Sequence, residues 1–221
     1  MEKLRILVAH TQPGIVCATA RILEAYGFGV DRLSDGDAVA RAIDAGSWDG
    51  LVIDTALPGT PVHDLCALAK ECEPPIPVIL IGALFRRSSF KRRPGQLYGA
   101  DDVVDVHKIA EELPAKLWRL FTGKDPAAAA LAEAEMAFWS LHHEPPGADG
   151  LAALLVAGAV LDRADEVVEV DDPGALAALL SQELEAARAL LASVMGGHAH
   201  DEAIDRAFRA LITPVSAGVA T

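Results

Sequence analysis

Cysteine is scarce. Cys17, Cys66 and Cys72 are the only three in 221 residues, an odd number with neither a CxxC pair nor zinc-like spacing, which excludes a disulfide framework and leaves reduced, mostly buried thiols. Aromatic residues are also few, at 5%, so the core must rest on Leu, Val, Ile and Ala. The longest apolar run, Leu151 to Leu161, is too short to span a bilayer. Met1 to His10 lacks the apolar segment and small-residue cleavage site of a signal peptide, so a cytoplasmic protein away from membranes is expected. Glycine-rich phosphate loops are missing: Pro13-Gly14 fits neither GxGxxG nor GxxxxGK[ST], and no cofactor is expected. Basic residues are rare beyond Lys124. Residues 1–124 carry 15 basic and 16 acidic side chains, net −1, whereas residues 125–221 carry 4 and 16, net −12. So acidic a segment is repelled by phosphate backbones, which argues against nucleic-acid binding.

The first 123 residues alternate between short apolar runs and helical spacings. Leu4 to Ala9 suits a buried parallel strand, followed by a helix face at Ile15, Ala18, Ile22, Leu23 and Tyr26 with Gly27 at its C-cap. The unit repeats with a strand at Phe28 to Leu33, a helix over Ala38, Val39, Ala42 and Ile43, and a strand at Asp49 to Asp54 that breaks at Pro58-Gly59. A third helix carries Val62, Leu65, Cys66 and Ala69, and a strand spans Pro77 to Ile81. The next repeat is irregular around the basic run Arg86 to Arg93 and Pro94-Gly95. Val103 to Val106 reads as a fifth strand, and Leu113, Leu117, Leu120 and Phe121 as a helix face. This alternation predicts an α/β domain over residues 1–123, a five-stranded doubly wound parallel sheet with helices on both faces. In such a sheet ligands bind beyond the carboxyl ends of the strands, where Asp54 falls.

Past Gly123 only helical patterns follow, so residues 124–221 are expected to form a small acidic all-helical domain. Leu131, Ala134, Phe138 and Leu141 make one face; a linker with Pro145-Pro146 follows. Leu151, Leu154, Leu155 and Leu161 make another, with Gly158 leaving room for a close helix. Val167 to Val170 is ambiguous between helix end and strand. Asp172-Pro173 opens a helix carrying Leu176, Leu179, Leu180, Leu184, Ala187, Leu191 and Val194, and Asp201 to Ile212 gives a last one. Such a bundle is completed by the surface of the first domain or by a second copy of itself.

Over roughly residues 3 to 122 the chain resembles a response-regulator receiver domain. The matching residues are Ile6-Leu7-Val8 with Pro13, Leu23 through Phe28, Asp54 with Leu57-Pro58-Gly59, Ile76 through Leu80, and Gly99-Ala100-Asp101-Asp102. The resemblance implies the strand order 2-1-3-4-5 shared with flavodoxin-like folds. It also implies a histidine kinase as phosphoryl donor and Asp54 as the phosphoacceptor position. The family holds Mg²⁺ with an acidic pair after the first strand. Here that pair is His10-Thr11, a poor substitute for hard oxygen ligands. The family's hydroxyl at the end of the fourth strand is Gly82, and its lysine at the end of the fifth is Val106. Lys108, two residues on, would share a face with Val106 in an extended chain. The expectation is a degenerate receiver with no metal site and no catalytic residue, not an enzyme, that works in two-component signalling by protein-protein contact. Weak phosphorylation at Asp54 and a flavodoxin-like small-ligand binder are the alternatives.

Arg86, Arg87, Lys91, Arg92 and Arg93 form a dense positive patch in an acidic chain. They are expected to meet an acidic protein surface, either the chain's own helical half or a second copy in a homodimer. His142-His143-Glu144 and His198, His200 and Asp201 match no zinc or HExxH spacing and are taken as polar linker residues.

Overall fold

A computed structural model describes residues 4–46, 48–82, 98–121, 147–170, 172–195 and 201–212. Five strands, β1 (Arg5–Ala9), β2 (Gly29–Leu33), β3 (Gly50–Asp54), β4 (Val78–Gly82) and β5 (Asp102–Asp105), form a parallel sheet in the order β2-β1-β3-β4-β5. The helices between them are α1 (Pro13–Ala25), α2 (Gly36–Ala45) and α3 (Val62–Glu71), and α4 (Ile109–Phe121) follows β5. Strand alternation divides the sheet cleanly. Leu7, Ala9, Leu51, Ile53, Val78 and Leu80 face α2 and α3, while Ile6, Val8, Val52, Ile79, Ile81 and Val104 face α1 and α4.

The motifs at the chain's turns do identifiable structural jobs. Gly59 has φ +83°, and a Cβ there would lie 2.9 Å from the Asp37 carboxyl carbon. That approach lets Asp37 Oδ1 accept from the Thr60 backbone N–H (2.9 Å) and hydroxyl (2.7 Å), tying α2 to the loop after β3. Asp101 Oδ2 accepts from Val78 N–H at 2.7 Å and contacts the Lys70 ammonium. Asp102 Oδ1 accepts from Lys116 Nζ at 3.0 Å. The two aspartates of Gly99 through Asp102 thus fasten β5 to β4, α3 and α4. Cys17 and Cys66 are buried free thiols, and burial pushes the Cys66 thiol up to about 11.

The second half is helical as far as it is described: α5 (Ala148–Asp162), α6 (Ala164–Val167), α7 (Pro173–Leu179), α8 (Ser181–Met195) and α9 (Asp201–Ile212). Val168 to Val170 continues from α6 as a turn. Asp172 caps α7 by accepting from Ala175 N–H at 2.7 Å. The single helix expected from Leu176 to Val194 is broken at Leu180, which closes α7 before α8 starts. Leu191 is buried but Val194 stands 61% exposed, so the last position of that stripe lies outside the core.

These helices pack on α1, and one apolar core runs from the sheet through α1 and α4 into α5, α8 and α9. From Gly14 through Ala20 every residue of α1 is buried. Of the expected leucine face of α5 only Leu161 is buried, together with Ala152, Val156, Ala157, Ala159 and Val160, while Leu151, Leu154 and Leu155 are only partly covered. Small side chains let two helices approach closely. The expected gap at Gly158 faces open space; the close contact is at Gly14 instead, where a Cβ would meet Leu211 at 3.4 Å, Val160 at 3.6 Å and Val167 at 3.7 Å.

Arginine side chains link the helices of this acidic half. Arg163 Nη1 reaches Glu183 Oε1 at 2.8 Å, Arg188 Nη2 reaches Asp205 Oδ1 at 2.6 Å, and Arg206 Nη2 reaches Asp149 Oδ1 at 2.6 Å.

Gly14→Ala is expected to fold normally, since a methyl group fits at ordinary contact distance. Gly14→Leu overpacks the junction and should cost about 1–3 kcal/mol in urea unfolding, with the largest loss of amide protection in α5 and α9.

Candidate functional site

The site forms at the carboxyl end of the sheet, where β1 and β3 lie side by side. Ile6 pairs with Gly50 and Ala9 with Ile53, so continuing the register by one residue sets His10 beside Asp54. Both side chains have the parity of the α1 face. His10 is 5% exposed and Asp54 7%, and His10 Nε2 lies 3.7 Å from Asp54 Oδ2. Asp54 Oδ1 accepts from Ala56 N–H at 3.1 Å, which turns the chain toward Pro58. Thr55 N–H continues the ladder to Ile81 O at 3.0 Å.

The state of His10 follows from its contacts. Its Nδ1 accepts a hydrogen bond from Gln12 N–H at 3.0 Å, so the ring proton sits on Nε2, toward Asp54. Burial pushes the imidazole below its ordinary value, and the Asp54 charge opposes this only in part. At neutral pH the imidazole beside Asp54 is therefore neutral.

The other positions of this pocket are Thr11, Gly82 and Val106. Thr11 is exposed in the bend after β1. Gly82 ends β4 opposite Asp105. The fifth strand ends one residue before its expected limit: Val106 opens a 3₁₀ turn through Lys108 and is itself buried in the core at 4% exposure. That turn removes the extended geometry by which Lys108 would have stood in for a lysine at position 106. Its Nζ pairs with Glu112 at 3.3 Å instead. Among the described residues no three His, Cys, Asp or Glu side chains converge as a metal site. A neutral imidazole, an exposed hydroxyl and one carboxylate do not supply the hard, octahedral oxygen set that Mg²⁺ requires, so the donors do not fit that ion. Arg86, Arg87, Lys91, Arg92, Arg93, His142, His143, Glu144, His198 and His200 lie outside the described residues, as does the side chain of Asp201.

Two residues beside the crevice join it to the helical half. Gln12 Nε2 donates to Val167 O at 2.8 Å and to Val170 O at 3.2 Å. His107 has Nδ1 3.1 Å from Leu161 O and Nε2 3.1 Å from Asp165 Oδ1, while its N–H donates to Asp105 Oδ1 at 3.0 Å. Motif spacing gives no hint of these contacts. The available signal was the composition of α1, apolar nearly all round and so in need of cover on its outer side.

The parallel sheet in this order, with an aspartate at the tip of its third strand, is a receiver-like fold. No protein-family model matches the chain. In sequence it is similar to transcriptional regulatory protein TcrA of Mycobacterium tuberculosis, 33% identical over 114 residues, which are 52% of this chain and 44% of TcrA. The chain thus spans under half the length of that relative. In structure it is similar to the receiver domain of the Francisella response regulator 1452, at 23% identity and TM-score 0.49 over 56% of this chain and 100% of that one. It is similar also to the BeF3-activated receiver domain of DrrB from Thermotoga maritima, at 24% identity and TM-score 0.46 over 53% and 97%. Among the described residues no helix is long and apolar enough to cross a membrane.

Because the folded chain resists protonating His10, the unfolded chain takes up a proton first as the pH falls through the free imidazole range near ~6.5. Stability is therefore present above that range and lost on acidification through it, with a slope of at most about 1.4 kcal/mol per pH unit from this group. Urea unfolding between pH 8 and pH 5, values set on the order of the histidine titration range, should show a shallower decline for His10→Asn than for the native chain.

Proposed function

We propose that this chain is a two-component signalling protein whose receiver-like domain does not take a phosphoryl group from a kinase and which acts, without enzymatic activity, by binding another protein. The observation that carries this is the buried His10 imidazole beside Asp54, where the family places an acidic pair for a cation. A carboxylate attacking a phosphoryl group brings like charges together and needs that cation to offset them. Gly82 and Val106 add neither a hydroxyl nor an ammonium. Treatment of the whole chain with acetyl phosphate and Mg²⁺, followed by mass spectrometry, is expected to show no phosphoryl adduct. An adduct lost on Asp54→Asn would overturn the proposal in favour of a working, if altered, receiver.

The name of the TcrA relative points to transcription, but a second half of net −12 is unsuited to holding DNA itself. We propose a protein partner with an acidic surface for Arg86, Arg87, Lys91, Arg92 and Arg93, supplied by the chain's own helical half or by a second copy. Charge reversal at Arg92 and Arg93 should then enlarge the hydrodynamic radius or shift a dimer toward monomer, most strongly at low salt. An unchanged radius and mass across salt concentrations would remove this surface from the proposal.

A further inference from the structure

The crevice and the helical half are joined through two residues, His10 by its close approach to Asp54 and Gln12 by its hydrogen bonds. Asp54 faces Nε2 of His10; Nδ1 of His10 holds the Gln12 N–H; and the Gln12 side chain holds two carbonyls at the end of α6. The orientation of the Gln12 carboxamide is fixed by chemistry, because both partners are carbonyl oxygens and only its NH₂ end can donate to them. Val167 O is also the acceptor for Val170 N–H at 3.2 Å, so the Gln12 contact sits on the bond that closes the corner Leu161 to Val170. The same corner is held on its other side by His107, on the loop after β5.

We propose that Gln12 is a positioning residue that makes this corner respond to the state of the crevice. Its backbone reports on His10, and its side chain acts on α6. A change at His10 that removes the Nδ1 acceptor leaves the Gln12 N–H without its partner; the bend Thr11-Gln12 then shifts, and the carboxamide leaves the two carbonyls. Only a short, stiff segment lies between the two ends, because Pro13 starts α1 immediately after Gln12. The helical half is by this route the part of the chain that senses what happens at the tip of β3. The inference goes beyond the proposed function without resting on it, since its test involves neither a phosphoryl donor nor a partner.

Hydrogen exchange on the full chain tests it, followed at the amides of Val167, Val168, Glu169 and Val170, which are all hydrogen-bonded within the corner. Gln12→Ala and His10→Ala should each speed their exchange by about three- to tenfold, the loss of one or two ordinary hydrogen bonds. His10→Asn, whose Oδ1 accepts in place of Nδ1, should keep the corner protected. In the Gln12→Ala background, His10→Ala should add nothing further. Corner exchange that is unmoved by either alanine variant, or that rises independently and multiplicatively in the double variant, overturns the proposal. Coupling is reciprocal, so a second measurement covers a His10→Ala chain that fails to fold: Gln12→Ala should shift the His10 ring nitrogen resonances. Resonances that stay in place overturn it equally.

Discussion

Helix α1 is apolar on nearly every side, and a helix of that kind is stable only when both of its faces are covered. The sheet covers one; α5 and α9 cover the other. Around that requirement the described helices arrange themselves as two layers on one side of the sheet and one on the other, with a single core running through α1 into the second half. The small residues at the α1–α5 contact, Gly14 on one side and Ala152, Val156 and Val160 on the other, set how close the layers come. That closeness brings the corner after α5 down onto the loops that follow β1 and β5. The placement of Gln12 and His107 against the helical half is therefore a consequence of how α1 is buried.

At the crevice, register decides which side chains meet. The β1–β3 pairing puts residue 10 next to residue 54, so the chemistry at the tip of β3 depends on what stands at position 10. An imidazole there is desolvated and kept neutral. It leaves the Asp54 carboxylate with a polar neighbour but no fixed positive charge among the described residues. Asp54 then acts as a turn-forming residue through Ala56 N–H.

Much of this was legible in the sequence, for physical reasons that differ from place to place. The strands were visible because buried parallel strands are continuous apolar runs bounded by turn residues, as in Leu4 to Ala9 and Pro77 to Ile81. The Asp54 tip was visible because Pro58-Gly59 marks where the strand must end. The junction of the two halves was not. Leucines usually mark a helix's buried face, yet α5 buries mostly alanines and valines and, of its expected leucines, only Leu161, and periodicity alone cannot say which of two apolar faces packs. The break at Leu180 was hidden by an unbroken leucine rhythm. The end of β5 was misplaced by one residue because Val106 is apolar and β-branched like the strand before it, and only Asp105 accepting from His107 N–H shows the backbone turning there. Gln12 and His107 carry no motif, since each is defined by a main-chain carbonyl more than fifty residues away in sequence.

The arginine links of the second half bear on how that half behaves as a charged object. With 16 acidic and 4 basic side chains over residues 125–221, it is a polyanion in which Arg163, Arg188 and Arg206 each pair across two helices. The repulsion among its carboxylates acts over tens of ångströms, whereas Arg163–Glu183, Arg188–Asp205 and Arg206–Asp149 act at contact distance. Counterions at cellular ionic strength screen charges beyond about 8 Å and so quiet the repulsion first, leaving the contact pairs largely in place. Dissolved salt is in that sense a component of this fold: the ionic medium holds the helices together by damping what would drive them apart.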